Sequence, residues 1–188
     1  ALFFRTMVKS TFRLPTFNDL YYLQIGNTSL RPENAVEYGA GLTWNSRKIG
    51  AVKYVTATVD AYINNVTDKI VAFPSTYIWK MVNFGKVKAK GLDLTLGTQI
   101  DLSKGFSLTA SGAMTLQEAK DKTENSPTYN SQLPYTPKVS GSLSAIFYTP
   151  WINIGYSSTA QGKRYSMAQN TNEYLMKSYM EHSLSVSR

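Results

Sequence analysis

The chain of 188 residues contains no cysteine and a single histidine, His182. The absence of cysteine excludes a disulfide framework and a thiolate metal site. One histidine cannot supply the paired imidazoles of zinc enzymes, and His182 alternates in step with Met180 and Leu184, so we expect it to be a packing residue. A nucleophile elbow and a P-loop are also missing. The sequence therefore predicts no enzyme, no catalytic residue, no metal site and no cofactor.

Long apolar runs are missing as well. Although 43% of the residues are hydrophobic, no stretch of about 18 apolar residues exists, which excludes a transmembrane helix. It does not exclude the strands of an outer-membrane barrel, because alternation with polar residues dilutes their hydrophobicity. The chain does not begin with Met and carries no recognisable signal peptide. We therefore expect it to be a piece of a longer protein.

The net charge of +8 has several explanations. Nucleic-acid binding is one of them, but the lysines and arginines are scattered and no nucleic-acid-binding motif is present. We therefore predict no nucleic-acid partner. A basic barrel lumen or a rim that faces lipopolysaccharide explains the charge equally well, and so does plain solubility.

What the sequence has instead is a period of two. In residues 87–102, Leu92, Leu94 and Leu96 fall on even positions, while Asp93 and Thr95 fall on odd ones. Residues 106–117 repeat the pattern after a short turn. Alternation of this kind indicates strands with one apolar and one polar face. Both arms reach the roughly 9–11 residues that a tilted membrane strand needs, whereas soluble strands usually have about 5–6.

The connections between the predicted strands alternate in length. Short turns are predicted at 46–50, 103–105 and 149–151. Long loops are predicted at 14–33, 68–82, 120–136 and 162–173. Outer-membrane barrels have short periplasmic turns, long extracellular loops and aromatic girdles, and the 13 tyrosines and three tryptophans fit such girdles. The sequence therefore predicts an all-β fold, an antiparallel up-and-down meander of about eight long strands.

Four segments carry motifs in a fixed order: Phe12-Arg13-Leu14-Pro15-Thr16 with Asp19-Leu20-Tyr21, Gly26-Asn27 with Leu30-Arg31-Pro32-Glu33, Asn83-Phe84-Gly85-Lys86 with Gly91 and Asp93, and Leu133-Pro134 with Pro137. Together they resemble the motifs of the TonB-dependent outer-membrane receptors of Gram-negative bacteria, in the cobalamin and siderophore branches. The resemblance implies a barrel of about 22 strands with a plugged lumen. Residues 1–188 would then be a fragment of that barrel, without the plug domain and the final strands.

The resemblance also implies a location and partners. The protein is expected in the cell outer membrane, where it would take up a large scarce nutrient such as siderophore iron, haem or cobalamin. The implied partners are that nutrient, outer-membrane lipid, and the TonB complex, which would act through the absent N-terminal part. The motif residues Pro15, Asn27, Pro32, Gly85 and Gly91 are expected to shape loops and strands.

Ligand in this family is bound by extracellular loops and the upper lumen wall. The resemblance therefore points to five loop aromatics that could stack on a large ligand: Tyr21, Tyr22, Tyr77, Trp79 and Tyr129. Girdle or loop packing explains these residues as well. A second candidate is the stripe of Arg5, Lys9 and Arg13 on one face of the first strand, which could guide an anionic ligand, or equally could be solvated or paired with the plug.

Two other interpretations stay open. One is a non-transport outer-membrane barrel of about eight strands, acting as an adhesin or a structural protein. The other is a soluble basic β-sheet module that binds nucleic acid or glycan. The soluble module predicts a packed apolar core on the face that the receptor interpretation assigns to lipid.

Overall fold

A computed structural model of the chain describes residues 1–74 and 77–188. The described elements are β1 (Leu2–Arg13), α1 (Phe17–Tyr21), β2 (Glu33–Asn45), β3 (Val52–Pro74), β4 (Trp79–Ser103), β5 (Phe106–Asp121), β6 (Val139–Tyr148), β7 (Asn153–Gln161), β8 (Arg164–Tyr165), β9 (Leu175–Met176) and β10 (Tyr179–Ser187), with a 3₁₀ turn at Asn172–Tyr174. Within these residues, no helix has the length and apolar character needed to cross a membrane.

Eight of the strands form one antiparallel sheet in the order β1-β2-β3-β4-β5-β6-β7-β10. From β2 to β7, each strand pairs with the strand that precedes it in the chain, and β10 pairs with β7. β8 and β9 form a separate small hairpin inside the last long loop. The predicted fold class, an up-and-down meander of about eight long strands, is therefore confirmed. We call the end of the sheet that carries the long loops the long-loop end, and the opposite end the short-turn end.

The strand register places the alternating residues on two distinct faces. One row across four strands reads Leu42, Val59, Leu94 and Met114. The adjacent row, on the other side of the sheet, reads Thr43, Thr58, Thr95 and Ala113. We call these sides the apolar face and the polar face. The predicted two-sided hairpin thus extends to a two-sided sheet.

The middle of the apolar face has no protein packed on it. Leu42 on β2 is 43% exposed and Leu96 on β4 is 54% exposed, although both strands have a neighbour on each side. The buried apolar side chains of the described residues lie instead towards the long-loop end or in its loops: Val66, Ile70, Val87, Ala119, Leu133 and Ala168. The packed core that a soluble module would need on the apolar face is therefore missing from the described part of the chain.

The predicted loop at 68–82 is wrong. β3 continues to Pro74 and β4 begins at Trp79, so the two paired strands extend into the range that was predicted as a loop. Residues 75 and 76 of the predicted loop lie outside the described part of the chain. Asp68, the first residue of the predicted loop, adopts φ = 54° within β3. Its carboxylate accepts a hydrogen bond from Arg31 Nε at 3.1 Å. The ladder then resumes through residues 69–74, which pair with 79–84.

Three other predicted boundaries shift. The loop at 14–33 contains α1, and Glu33 already belongs to β2. The loop at 120–136 begins at residue 122 and ends at 138, because residues 120 and 121 stay paired with β4. The last strand begins at Tyr179 rather than at 174, since Leu175 is paired with Tyr165 in the small hairpin.

Candidate functional site

The first long loop is shaped by the capping of α1. Thr16 Oγ1 accepts a hydrogen bond from the Asp19 amide at 3.2 Å, and the Asp19 carboxylate accepts one from the Thr16 amide at 2.9 Å, which is a capping box. Arg13 of β1 donates to the same carboxylate at 2.7 Å. Burial by itself would raise the pKa of Asp19, but the Thr16 hydrogen bonds and the charge of Arg13 outweigh it and lower the pKa.

We expect Asp19→Ala to destabilise this loop by about 1–2 kcal/mol, because both the capping hydrogen bonds and the Arg13 pair are lost. Asp19→Asn should cost less, since its amide oxygen can still accept from Thr16. Hydrogen exchange of amides 16–22 in the complete receptor measures the effect. Wild-type protection in the Ala variant would contradict the assignment. Because the folded pKa is lowered, this stabilisation is present above the ordinary pKa of a free carboxyl and is lost as the pH falls below it.

Two asparagines tie the first loop to the β3–β4 hairpin. Asn27 Nδ2 donates to the Met81 carbonyl at 3.1 Å, and the Met81 amide donates to the Ile25 carbonyl at 2.8 Å. Asn83 Oδ1 accepts from the Arg31 amide at 2.8 Å, and its Nδ2 donates back to the Arg31 carbonyl at 3.0 Å. The loop is thereby bonded along one side of the hairpin.

Gly26 stands where the first loop turns back on its own backbone. A Cβ added there would lie 2.6 Å from the Tyr22 nitrogen and 2.7 Å from the Leu20 oxygen, which are backbone atoms that cannot move aside. Only glycine therefore fits this approach without displacing the turn. The Gly-Asn motif combines this turn with the side-chain bonds of Asn27.

The loop at 122–138 packs on the polar face at the long-loop end. Leu133 contacts a small cluster formed by Val66, Val87 and Ala119, and its amide donates to the Ala119 carbonyl at 2.8 Å. Asn170, from the last long loop, accepts from the Gln132 amide at 2.6 Å and donates to the Gln132 carbonyl at 3.0 Å. Two long loops are thus joined above the polar face.

Asp121 organises the first half of that loop. Its side chain is 1% exposed and accepts hydrogen bonds at 2.8 Å from the Thr123 amide, the Ser126 hydroxyl and the Thr128 hydroxyl. Burial by itself would raise the pKa of Asp121, but these hydrogen bonds outweigh it and lower the pKa. The sequence analysis missed this residue. The signal was an Asp followed by hydroxyl residues at short spacing, which is typical of a side-chain-capped turn.

The five predicted aromatics all lie at the long-loop end. Tyr21 and Tyr22 belong to or directly follow α1 and are exposed, as is Tyr77 before β4. Trp79 packs on Tyr135 with ring centroids 5.8 Å apart. Tyr129 lies beneath Lys122, whose Nζ is 5.4 Å from the ring centroid. The structure therefore brings Trp79 together with Tyr135, a residue that the sequence analysis did not select.

The predicted basic stripe lies on the polar face beside acidic residues. Arg5 pairs with the carboxylate of Asp60 and donates to Thr43 Oγ1 at 2.7 Å. Arg13 pairs with Asp19, as described above. Lys9 faces Glu37 in the β1–β2 ladder. Each cation of the stripe thus has a nearby carboxylate, which weakens the field that it could present to an anionic ligand.

His182 lies on the apolar face, where Tyr156 Oη is 2.7 Å from its Nδ1. The two rings stack with centroids 6.0 Å apart. Across residues 1–74 and 77–188, no group of three or more His, Asp or Glu side chains is arranged to hold a metal ion.

A family model described as TonB dependent receptor-like, beta-barrel matches residues 2–188. The chain belongs to this family. Among solved structures, it is similar to the copper transporter OprC, with a TM-score of 0.67 and 15% identity, over 100% of this chain and 29% of that one. It is also similar to the ferric yersiniabactin uptake receptor FyuA from Yersinia pestis, with a TM-score of 0.66 and 15% identity over 98% and 27%.

The ferric-catecholate import receptor Fiu from E. coli K12 gives a TM-score of 0.63 at 18% identity, over 100% of this chain and 26% of that chain. At these identities the likeness shows the fold. The chain spans less than a third of each of these proteins.

In a TonB-dependent receptor barrel, the two faces of this sheet have different surroundings. The apolar face is the outer surface of the wall and the polar face is the inner one. At the short-turn end of the apolar face, Phe106 packs on Phe147 and on Trp151, with ring centroids 6.1 and 5.9 Å apart. An aromatic cluster at the end of an apolar strand face is typical of the girdle at a membrane interface.

Proposed function

We propose that this chain is a wall segment of an outer-membrane receptor that imports a large scarce nutrient, and that its long-loop end binds the nutrient. One observation carries the proposal: the β3–β4 hairpin and three long loops are bonded to one another at the long-loop end, where the predicted aromatics also lie. Loops bonded to one another at the mouth of a polar lumen suit a ligand that must be captured outside and released inward.

The ligand class that we propose is a ferric siderophore. Aromatic side chains stack on planar chelating groups, and the loop aromatics Tyr21, Tyr22, Tyr77, Trp79 and Tyr129 supply such surfaces. Lys122 stands over Tyr129 and adds a positive charge that suits an anionic chelate. Two of the similar solved proteins are named as receptors for ferric yersiniabactin and ferric catecholates, and one as a copper transporter. Haem and cobalamin are the alternatives.

The energy for import would come from the TonB complex, acting on a plug domain that we expect in the complete receptor. Import that depends on TonB separates this proposal from a non-transport barrel. Deleting the tonB function of the host should abolish uptake while leaving surface binding of the ligand intact.

The test is uptake of labelled ligands by a Gram-negative host that lacks its own iron receptors and expresses the complete receptor. We expect uptake of a ⁵⁵Fe-labelled tris-catecholate. The double variant Trp79→Ala/Tyr129→Ala should weaken binding by roughly tenfold, since each aromatic contact contributes about 0.5–1.5 kcal/mol. Trp151→Ala, at the short-turn end, is the matched control and should leave binding unchanged. Uptake of labelled haem or cobalamin but not of the iron chelate would contradict the siderophore assignment.

A further inference from the structure

A cleft of about 380 Å³ lies at the long-loop end, between the β3–β4 hairpin and the loop at 122–138. It exists because two neighbouring strands end at different heights: β5 ends at Asp121, whereas β4 extends as far as Trp79. The loop that follows β5 crosses β4 at Gly85, where an added Cβ would lie 2.6 Å from Thr123 Cγ2. Glycine therefore lets the loop approach this closely, and the cleft lies beyond the crossing.

The lining of the cleft is aromatic and apolar on one side and mixed on the other. The hairpin contributes Phe73 and Phe84, whose ring centroids are 5.5 Å apart, together with Val82. The loop at 122–138 contributes Pro127, and the last long loop contributes Gln169. Sites for small molecules usually combine apolar and aromatic side chains with a few polar groups, in volumes of roughly 300–1,000 Å³. Both the volume and the lining therefore suit a small organic group.

Both sides of the cleft are held in place without a ligand. On the hairpin side, residues 80–84 are paired with β3. On the loop side, the three hydrogen bonds of Asp121 fix the turn that follows β5. Gln169 lies between Ala168, which is 2% exposed, and Asn170, which is bonded to the neighbouring long loop. A cleft that is formed in advance lowers the entropy cost of binding.

The charge beside the cleft disfavours an anion. The Asp121 carboxylate belongs to the lining, and across the described residues no lysine or arginine nitrogen lies within 4.0 Å of it. Its hydrogen bonds come from one amide and two hydroxyls, which are uncharged donors. Lys86, close to the crossing, is paired with Glu124 at 3.0 Å. An anionic group in the cleft would therefore be repelled, and the repulsion is stronger away from bulk water.

The cleft lies beside the aromatics to which the proposed function assigns the ligand. Trp79 is paired with Pro74, the residue that follows Phe73. Tyr129 is two residues beyond Pro127 in the same loop. A ligand that stacks on these aromatics therefore needs only a short substituent to enter the cleft.

We propose that the cleft binds an uncharged aromatic ring of the imported siderophore, and that this ring is not one of the iron-binding groups. The iron chelate carries the negative charge and stays with Lys122 and Tyr129, while the ring packs against Phe73 and Phe84. The identity of the ligand rests on the proposed function. The preference of the cleft for an uncharged ring depends only on the residues that line it.

The first test measures the cleft directly in the complete receptor in detergent micelles. The probes are para-fluorobenzyl alcohol and para-fluorobenzoate, and fluorine NMR measures their binding as the difference between receptor-containing and empty micelles. We expect the alcohol to bind and the benzoate to bind roughly fivefold or more weakly. Val82→Trp fills the cleft and Gln169→Trp covers it from an exposed position, so each should weaken binding of the alcohol by roughly fivefold or more. Thr171→Trp, also exposed in the last long loop, is the matched control and should change nothing.

The second test compares two ferric tris-catecholates with the same linker, which carries either a phenyl or a hydroxymethyl group. We expect Gln169→Trp to weaken binding of the phenyl-bearing chelate by roughly tenfold and to leave the other chelate unchanged. Equal loss for both chelates would overturn the proposal. So would equal binding of the two fluorinated probes, or unchanged binding of the alcohol by both tryptophan variants of the cleft. A receptor that takes up neither chelate while its cleft still selects the alcohol would refute the siderophore assignment and leave the preference of the cleft intact.

Discussion

Leu96→Arg is expected to lower the free energy of unfolding of the complete receptor in a lipid bilayer by about 2–4 kcal/mol. Leu96 lies in the middle of the apolar face, where it pairs with Ala57 and Gly112 and is more than half exposed. A guanidinium at this depth must either stay in hydrocarbon or pull water inward, and both cost free energy. The size of the loss therefore reports the surroundings of this face directly.

Thr95→Arg is the matched control for that prediction. Thr95 is the preceding residue on the same strand, is also exposed, and lies on the polar face. Its substitution should change the free energy of unfolding by less than about 0.5 kcal/mol, as is usual for surface positions. Guanidinium titrations in phosphatidylcholine vesicles measure both variants. If the two substitutions cost the same, the assignment of the faces to lipid and lumen is wrong.

Asp121→Ala is expected to open the first half of the loop at 122–138. The buried carboxylate accepts three hydrogen bonds, and bonds to charged groups contribute about 1.5–3 kcal/mol each. We expect the local opening free energy to fall by about 3 kcal/mol or more, which corresponds to exchange of amides 123–131 that is more than roughly a hundredfold faster. Hydrogen exchange read by mass spectrometry measures the change. Exchange in β1, far from this loop, should stay as in the wild type.

Asp121→Asn separates charge from shape, because its amide oxygen still accepts while its NH₂ group meets donors. We expect an intermediate loss of protection. The pH dependence gives a second check. Since the folded pKa of Asp121 is lowered, its stabilisation is complete above the ordinary carboxyl pKa and fades as the pH falls towards the folded value. The Ala variant should lose this acid sensitivity, and a loop that loosens equally on acidification with alanine at this position would contradict the assignment.

The faces of the sheet could be predicted from the sequence because a strand has a strict period of two. Leu92 and Asp93 alternate whatever neighbours the strand has, so the apolar and the polar side of each strand followed from single-strand patterns. The predicted loop at 68–82 failed for a local reason: Asp68 and Pro74 are typical loop residues, yet the Arg31 contact holds Asp68 within a strand. Such a contact joins residues that are far apart in the sequence, which a local pattern cannot reveal.

The candidate site was only partly predictable for a similar reason. The aromatics were found because their residue type and loop location are visible in the sequence. Tyr135 was missed because its packing partner, Trp79, is on a different element and far from it in the sequence. Lys88 and Lys120 are ordinary lysines in the sequence, and only the strand register shows that they lie opposite each other. Register between strands is a property of the fold rather than of either strand.

The interruption of the β3–β4 ladder at Asp68 and Gly85 has a mechanical consequence. Residues 67 and 86 pair on one side of it and residues 69 and 84 on the other, and Asn83 Nδ2 bridges it by donating to the Asp68 carbonyl at 2.7 Å. The same Asn83 side chain is bonded to the backbone of Arg31 in both directions. We therefore expect a displacement of β3 and β4 at this interruption to shift the first loop as well, because one side chain is shared between them.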